Sequence, residues 1–152
     1  MKLRNFLFVL ICFAGLEACH NNTVSNIPQI AYISSVDEIS ISRNDTDSVV
    51  FSITDGDADL GDDTASGIWC KDSRYDSAGF VRTAFPQIDE GIEDPKKGLT
   101  ARCAFYPFPP PTPRLDSMHI KNGDTLTYEL YVTDRAKHQS NHITTRPLII
   151  NP

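Results

Sequence analysis

The chain has 152 residues, with 20 Asp and Glu against 14 Lys and Arg and a formal net charge of −6. That length suits one ordinary domain and leaves little room for two. An acidic chain with no basic stripe excludes nucleic acid as a partner, because binding it requires displacing phosphate counterions, and it does not favour docking on anionic lipid head groups.

The first segment, "MKLRNFLFVLICFAGLEAC", has Lys2 and Arg4 ahead of an apolar run from Phe6 to Leu16, then small Ala18 before Cys19. The apolar run is about half the roughly 20 residues of a spanning helix, so residues 1–18 read as an export signal and not as a membrane anchor. "LEAC" resembles the lipobox of bacterial lipoproteins, Glu17 being unusual there, and implies that Cys19 becomes the lipidated first residue of the mature chain. Several acyl chains on one cysteine would hold the domain at the bilayer stably. Residues 19–28 then form the lipidated cysteine and a polar tether, and residues 29–152 the folded domain. Loss of Lys2, Arg4 and Glu17 makes the mature chain one unit more acidic.

Beyond the tether, short β-rich runs are separated by Gly, Pro, Asn and Asp: "IAYISSV", "SVVFSIT", "SGIWC", "FVRTAF", "LTARCAF", "SMHI", "DTLTYELYVTD" and "HITTRPLII". None sustains a helical period beyond two turns. Val49, Phe51 and Ile53 alternate with polar neighbours, as do Leu126, Tyr128, Leu130 and Val132. Seven or eight such strands predict an all-β, immunoglobulin-like antiparallel β-sandwich. Between the middle strands, "PQIDEGIEDPKKGL" reads as irregular. "YPFPPPTPRL" is unable to donate ladder hydrogen bonds at its prolines and reads as an extended crossover.

With Cys12 in the signal and Cys19 lipidated, Cys70 and Cys103 remain. An exported chain favours a disulfide between them. Parity supports it, since Cys103 shares a face with Leu99, Ala101 and Phe105 and Cys70 shares one with Ile68, both inward; a pair of buried, unreacted thiols is the alternative. Neither has the nearby Cys or His that a zinc site requires. Trp69 faces the other way, as cover for a strand edge or loop or as a stacking platform.

"TDGDADLGDD", Thr54 to Asp63, follows a strand. Asp55, Asp57 and Asp59 stand at alternate positions like the first ligands of an EF-hand loop. The match then ends, because Gly61 falls one place late and Ser66 stands where a bidentate Glu belongs. A looser calcium site would draw on Asp55, Asp57 and Asp59 with further oxygens from Asp62 or Asp63, or from Asp134 at a far strand end. The competing reading is a hydrated loop whose aspartates satisfy turn backbone groups. Seven acids and no Lys or Arg between Asp45 and Asp63 make the crowding repulsive unless solvent or a cation relieves it. No enzyme is expected: "DGDAD" is polar throughout, whereas paired-carboxylate catalysis needs one pKa raised in an apolar pocket. His138 and His142 have a metal pair's spacing without its helix or "HExxH" glutamate.

"VVFSITDGDADLG" and "LTYELYVTDRAKHQSNHITTRPLII" resemble a group of small Bacteroidetes lipoproteins, with an "F-x-x-x-D-G-D-G-D-L-G" stretch and a "Y-V-T-D-R-A-G-x-x-S-N" stretch in an immunoglobulin-like sandwich. Ala58 and Lys137 replace a glycine of each motif, so the turns there are expected to depart in detail. The resemblance implies fold and an outer-membrane, lipid-anchored location. The absence of acidic residues just after Cys19 favours the periplasmic face over the cell surface. Asp47-Ser48-Val49, Asp63-Thr64-Ala65, Asp76-Ser77-Ala78, Asp116-Ser117-Met118 and Asp124-Thr125-Leu126 resemble the phylum's O-glycosylation tripeptide. Two function classes follow: a non-catalytic binding or accessory module contacting an envelope protein or glycan through loops or a free sheet edge, calcium-dependent in one form, and a structural subunit of a larger outer-membrane complex.

Overall fold

A computed structural model describes residues 24–61, 64–85, 97–107 and 121–152. The signal segment, Cys19, Asp62, Asp63, the "SMHI" run and most of both irregular stretches lie outside the described residues.

The described chain is all-β apart from one short 3-10 turn at Ser73–Ala78. Ten strands run in order: β1 (Gln29–Ser35), β2 (Glu38–Ser40), β3 (Val49–Asp55), β4 (Gly67–Asp72), β5 (Val81–Ala84), β6 (Leu99–Phe105), β7 (Asp124–Leu126), β8 (Tyr128–Thr133), β9 (Ile143–Thr144) and β10 (Leu148–Asn151). They form three sheets, ordered β1-β3-β6, β5-β4-β8-β9 and β2-β10-β7. The first has the A-B-E neighbour order of an immunoglobulin-like sandwich, and the second its C′-C-F-G order. All pairings are antiparallel except β2 with β10.

The strands exceed the expected seven or eight because two of the runs divide and β2 adds a further strand. "DTLTYELYVTD" divides at Thr127, whose N–H and carbonyl bond to Ser73 Oγ and Ser73 N–H. The chain there passes from β10 as neighbour to β4 and β9. Inward alternation survives the division, with Leu126, Tyr128, Leu130 and Val132 all buried. These side chains pack with Phe51, Ile53, Leu60 and Ile150 in one core.

Cys70 and Cys103 are free, which corrects the expected disulfide. Parity holds for both: Cys70 is buried, and Cys103 stands opposite Phe51 and packs against the core. Cys70, however, lies on β4 in register with Val81 and Leu130, in a different sheet from Cys103 on β6. Parity fixes which way a side chain points but not its separation from a partner.

Trp69 faces outward on β4 opposite Tyr131. Their rings stack at 5.6 Å with planes 9° apart, and the indole N–H donates to Thr133 Oγ1. His142 stacks on the other face of this row at 4.8 Å from Tyr131, and Phe80 meets both edge-on. The rings cover one another, so Trp69 belongs to a small aromatic cluster on the outer sheet face.

Candidate metal centre

In β3 every second side chain from Val49 points inward, and that parity carries Asp55, the last residue, into the interior. Asp55 has no exposed surface. The sharp turn after it depends on Gly56, where a Cβ would lie 2.3 Å from the Val24 carbonyl oxygen. Ala58 takes φ 54°, Leu60 plugs the core with no exposed surface, and Gly61 takes φ 86°. The turn folds back over Asp55, so the Asp59 N–H donates to Asp55 Oδ2 at 3.1 Å.

Asp55, half-buried Asp57 and half-buried Asp59 each offer a carboxylate oxygen, all within 4.8 Å of one another. On each of the three, Oδ1 is buried and has no hydrogen-bond partner. Three unpaired buried carboxylate oxygens are costly, because burial removes water without returning a donor. Burial foremost, then the charges of Asp57 and Asp59 and a hydrogen bond shared with the Asp57 side chain, pushes the Asp55 carboxyl up to about 7, against the Asp59 N–H bond. Asp59 is also raised, by burial and then by Asp134 and Asp57, while the Ala136 N–H and Arg135 oppose the shift.

A second loop braces the turn. The Arg135 N–H donates to the Asp59 carbonyl and the Ala136 N–H to Asp59 Oδ2. Arg135 Nε and Nη2 reach the Gly61 and Leu60 carbonyls. Lys137, at φ 71°, closes this loop, its N–H bonding to the Asp134 carbonyl. Ala58 and Lys137 thus both hold the left-handed conformation that glycine adopts without strain. The two sequence motifs form one structural unit.

Asp134, at the end of β8, is fully buried but does not join the three-carboxylate cluster. Its Oδ1 accepts the His138 N–H at 2.7 Å and its Oδ2 meets His138 Nδ1 at 2.8 Å. That bond holds the His138 imidazole above its ordinary value. Asp134 is therefore a brace of the second loop, and its charge acts on Asp59 from outside the cluster. Ser66 is buried at the start of β4 with no partner for Oγ. His142 turns away to Glu129 at 2.7 Å and Gln139 at 2.8 Å.

Chemically, the site is a crowded set of hard oxygen donors, three of whose oxygens have no hydrogen-bond partner. A carboxyl near 7 also suits acid–base work. Asp55 has no exposed surface, and half-buried Asp57 and Asp59 stand between it and solvent. The expectation that "DGDAD" is polar throughout is corrected here, since strand parity buries its first carboxylate. No family model, curated protein or solved structure matches the chain.

Proposed function

We propose that the chain is a lipid-anchored, non-catalytic envelope module with an immunoglobulin-like sandwich that carries a calcium ion at the Asp55–Asp57–Asp59 turn. The observation that carries this reading is that three aspartates each bring a carboxylate oxygen within 4.8 Å of the others and each bury an Oδ1 that has no hydrogen-bond partner. Calcium suits them better than magnesium: it accepts six to eight oxygens in flexible geometry, whereas magnesium holds its waters and demands a near-ideal octahedron. Backbone carbonyls and water would complete the shell. The lipid anchor rests on "LEAC" and Cys19. The accessory role, toward an envelope protein or a glycan, draws on the loops and on β1 and β6, the outer strands of their sheet.

Calorimetric titration of the chelator-treated protein with calcium chloride tests the ion site. Saturable binding that Asp57→Asn plus Asp59→Asn abolishes is expected; absence of binding in the parent removes the cofactor. For the anchor, Cys19→Ser is expected to move the folded domain out of the membrane fraction, and retention after a high-salt wash overturns it.

A further inference from the structure

We infer that the cation site is also a latch for the N-terminal stalk: an ion on the acidic turn fixes the residues that lead from the anchor to the domain. This rests on reading the turn as a calcium site. Gly56 lies between the first two ligand residues, and its N–H donates to the Ser25 carbonyl at 2.7 Å. A Cβ at Gly56 would stand 2.3 Å from the Val24 oxygen and 2.8 Å from the Ser25 oxygen, so residues 24–25 lie directly on the turn. From another side Gly98 presses on the same peptide, where a Cβ would be 2.7 Å from the Asp55 backbone carbonyl oxygen.

The stalk has little else to hold it. Val24 and Ile27 are 42% and 46% exposed, so neither is anchored in the core. The ladder of β1 starts only at Gln29 opposite Thr54, and Ile30 is tied by paired hydrogen bonds to Asn141. Ahead of that ladder, among the described residues, the backbone bond between the stalk and another part of the domain is the one from Gly56 to Ser25.

Coupling follows from the position of Gly56. Asp55 and Asp57 flank its peptide, so one stretch of backbone sets both the spacing of the two carboxylates and the direction of the Gly56 N–H. A bound cation draws both carboxylates together and keeps the N–H on Ser25. Linkage makes the effect reciprocal: the factor by which calcium strengthens stalk docking equals the factor by which docking strengthens calcium binding.

The test is amide hydrogen exchange in the full chain, in millimolar calcium and in chelator, read at Gly56 and at Ile27, whose N–H bonds to Ser25 Oγ. Calcium is expected to slow both about tenfold, a factor within the usual range of site coupling. Gly56→Ala, which drives a methyl into the Val24 and Ser25 carbonyls, is expected to weaken calcium binding by a similar factor in calorimetry. If the parent binds calcium but exchange at both amides is unchanged, the latch is wrong and the calcium site stands. If the parent binds no calcium, both fall. The parent's exchange decides the matter even if Gly56→Ala fails to fold.

Discussion

Arg135 and Gly61, 74 positions apart in sequence, meet through a hydrogen bond of 3.0 Å from Nε to the Gly61 carbonyl, and the same guanidinium reaches the Leu60 carbonyl at 3.0 Å through Nη2. A planar fork serves two adjacent carbonyls at once, and an ammonium does not reproduce it. Arg135→Lys is therefore expected to cost about 1 kcal/mol in urea unfolding and to weaken calcium binding, because the turn loses its brace while every carboxylate remains. An unchanged urea midpoint would show that the main-chain bonds from Arg135 and Ala136 suffice.

The Tyr128 hydroxyl donates to Asp47 Oδ2, with both residues 1% exposed and Asp47 Oδ1 unpaired. Burial raises the Asp47 carboxyl, while the Tyr128 hydrogen bond opposes that rise. Tyr128→Phe is expected to cost roughly 1–3 kcal/mol by stranding the carboxylate. Adding Asp47→Leu should recover part of that loss, since removing both polar partners costs less than removing one. Chemical denaturation of the two single variants and the double variant measures the coupling.

The strand parity that buries Asp55 was readable from Val49, Phe51 and Ile53, and most strands coincide with the apolar runs. Three features were not legible. The β2 strand is three residues long, and its parallel partner β10 lies over a hundred residues away, as the bond from Asn151 to Glu38 shows. The division at Thr127 leaves the alternation intact and so leaves no trace in it. The clasp between 59–61 and 134–138 depends on which loops meet at one end of the sandwich, and no local propensity encodes that. The same limit explains the cysteines, whose shared inward orientation was legible and whose separation was not.

Lys137 occupies the left-handed region at φ 71° with an exposed side chain. An L-residue there costs roughly 1–2 kcal/mol, partly offset because glycine loses more chain entropy on folding. Lys137→Gly is expected to stabilise the domain by about 0.5 kcal/mol, as a small upward shift in melting temperature. A lower melting temperature would mean that the lysine side chain contributes more than its backbone strain removes.

Cys70 and Cys103 are free thiols, and burial raises both, Cys103 to about 11. Few thiolates form at neutral pH, so native protein carrying Cys19→Ser is expected to react slowly with a disulfide reagent. Under denaturant without reductant, both thiols should titrate in addition to any from Cys12. Failure of both to appear would restore the bridge.

The pH dependence of stability separates the two readings of the acidic turn. Asp55 has a folded-state carboxyl near 7 against an ordinary value near 3.9. Between those values the folded state binds more protons than the unfolded one, so this group's contribution to stability falls as pH rises through the window and is level above it. Asp59 and Asp47, also raised, act with the same sign. In chelator, the parent is expected to lose stability relative to Asp55→Asn between about pH 4 and 7, on the order of a few kcal/mol. Calcium reverses that trend, because it binds the ionised carboxylates and its affinity grows as their protons leave. At a hundredfold excess over Kd it should add about 2.7 kcal/mol to the parent. The measurement is melting temperature against pH for both proteins, in chelator and in calcium. Parallel profiles in chelator would show that Asp55 ionises without penalty. A parent slope in chelator that calcium leaves unchanged would show a buried, protonated carboxyl that serves the turn alone.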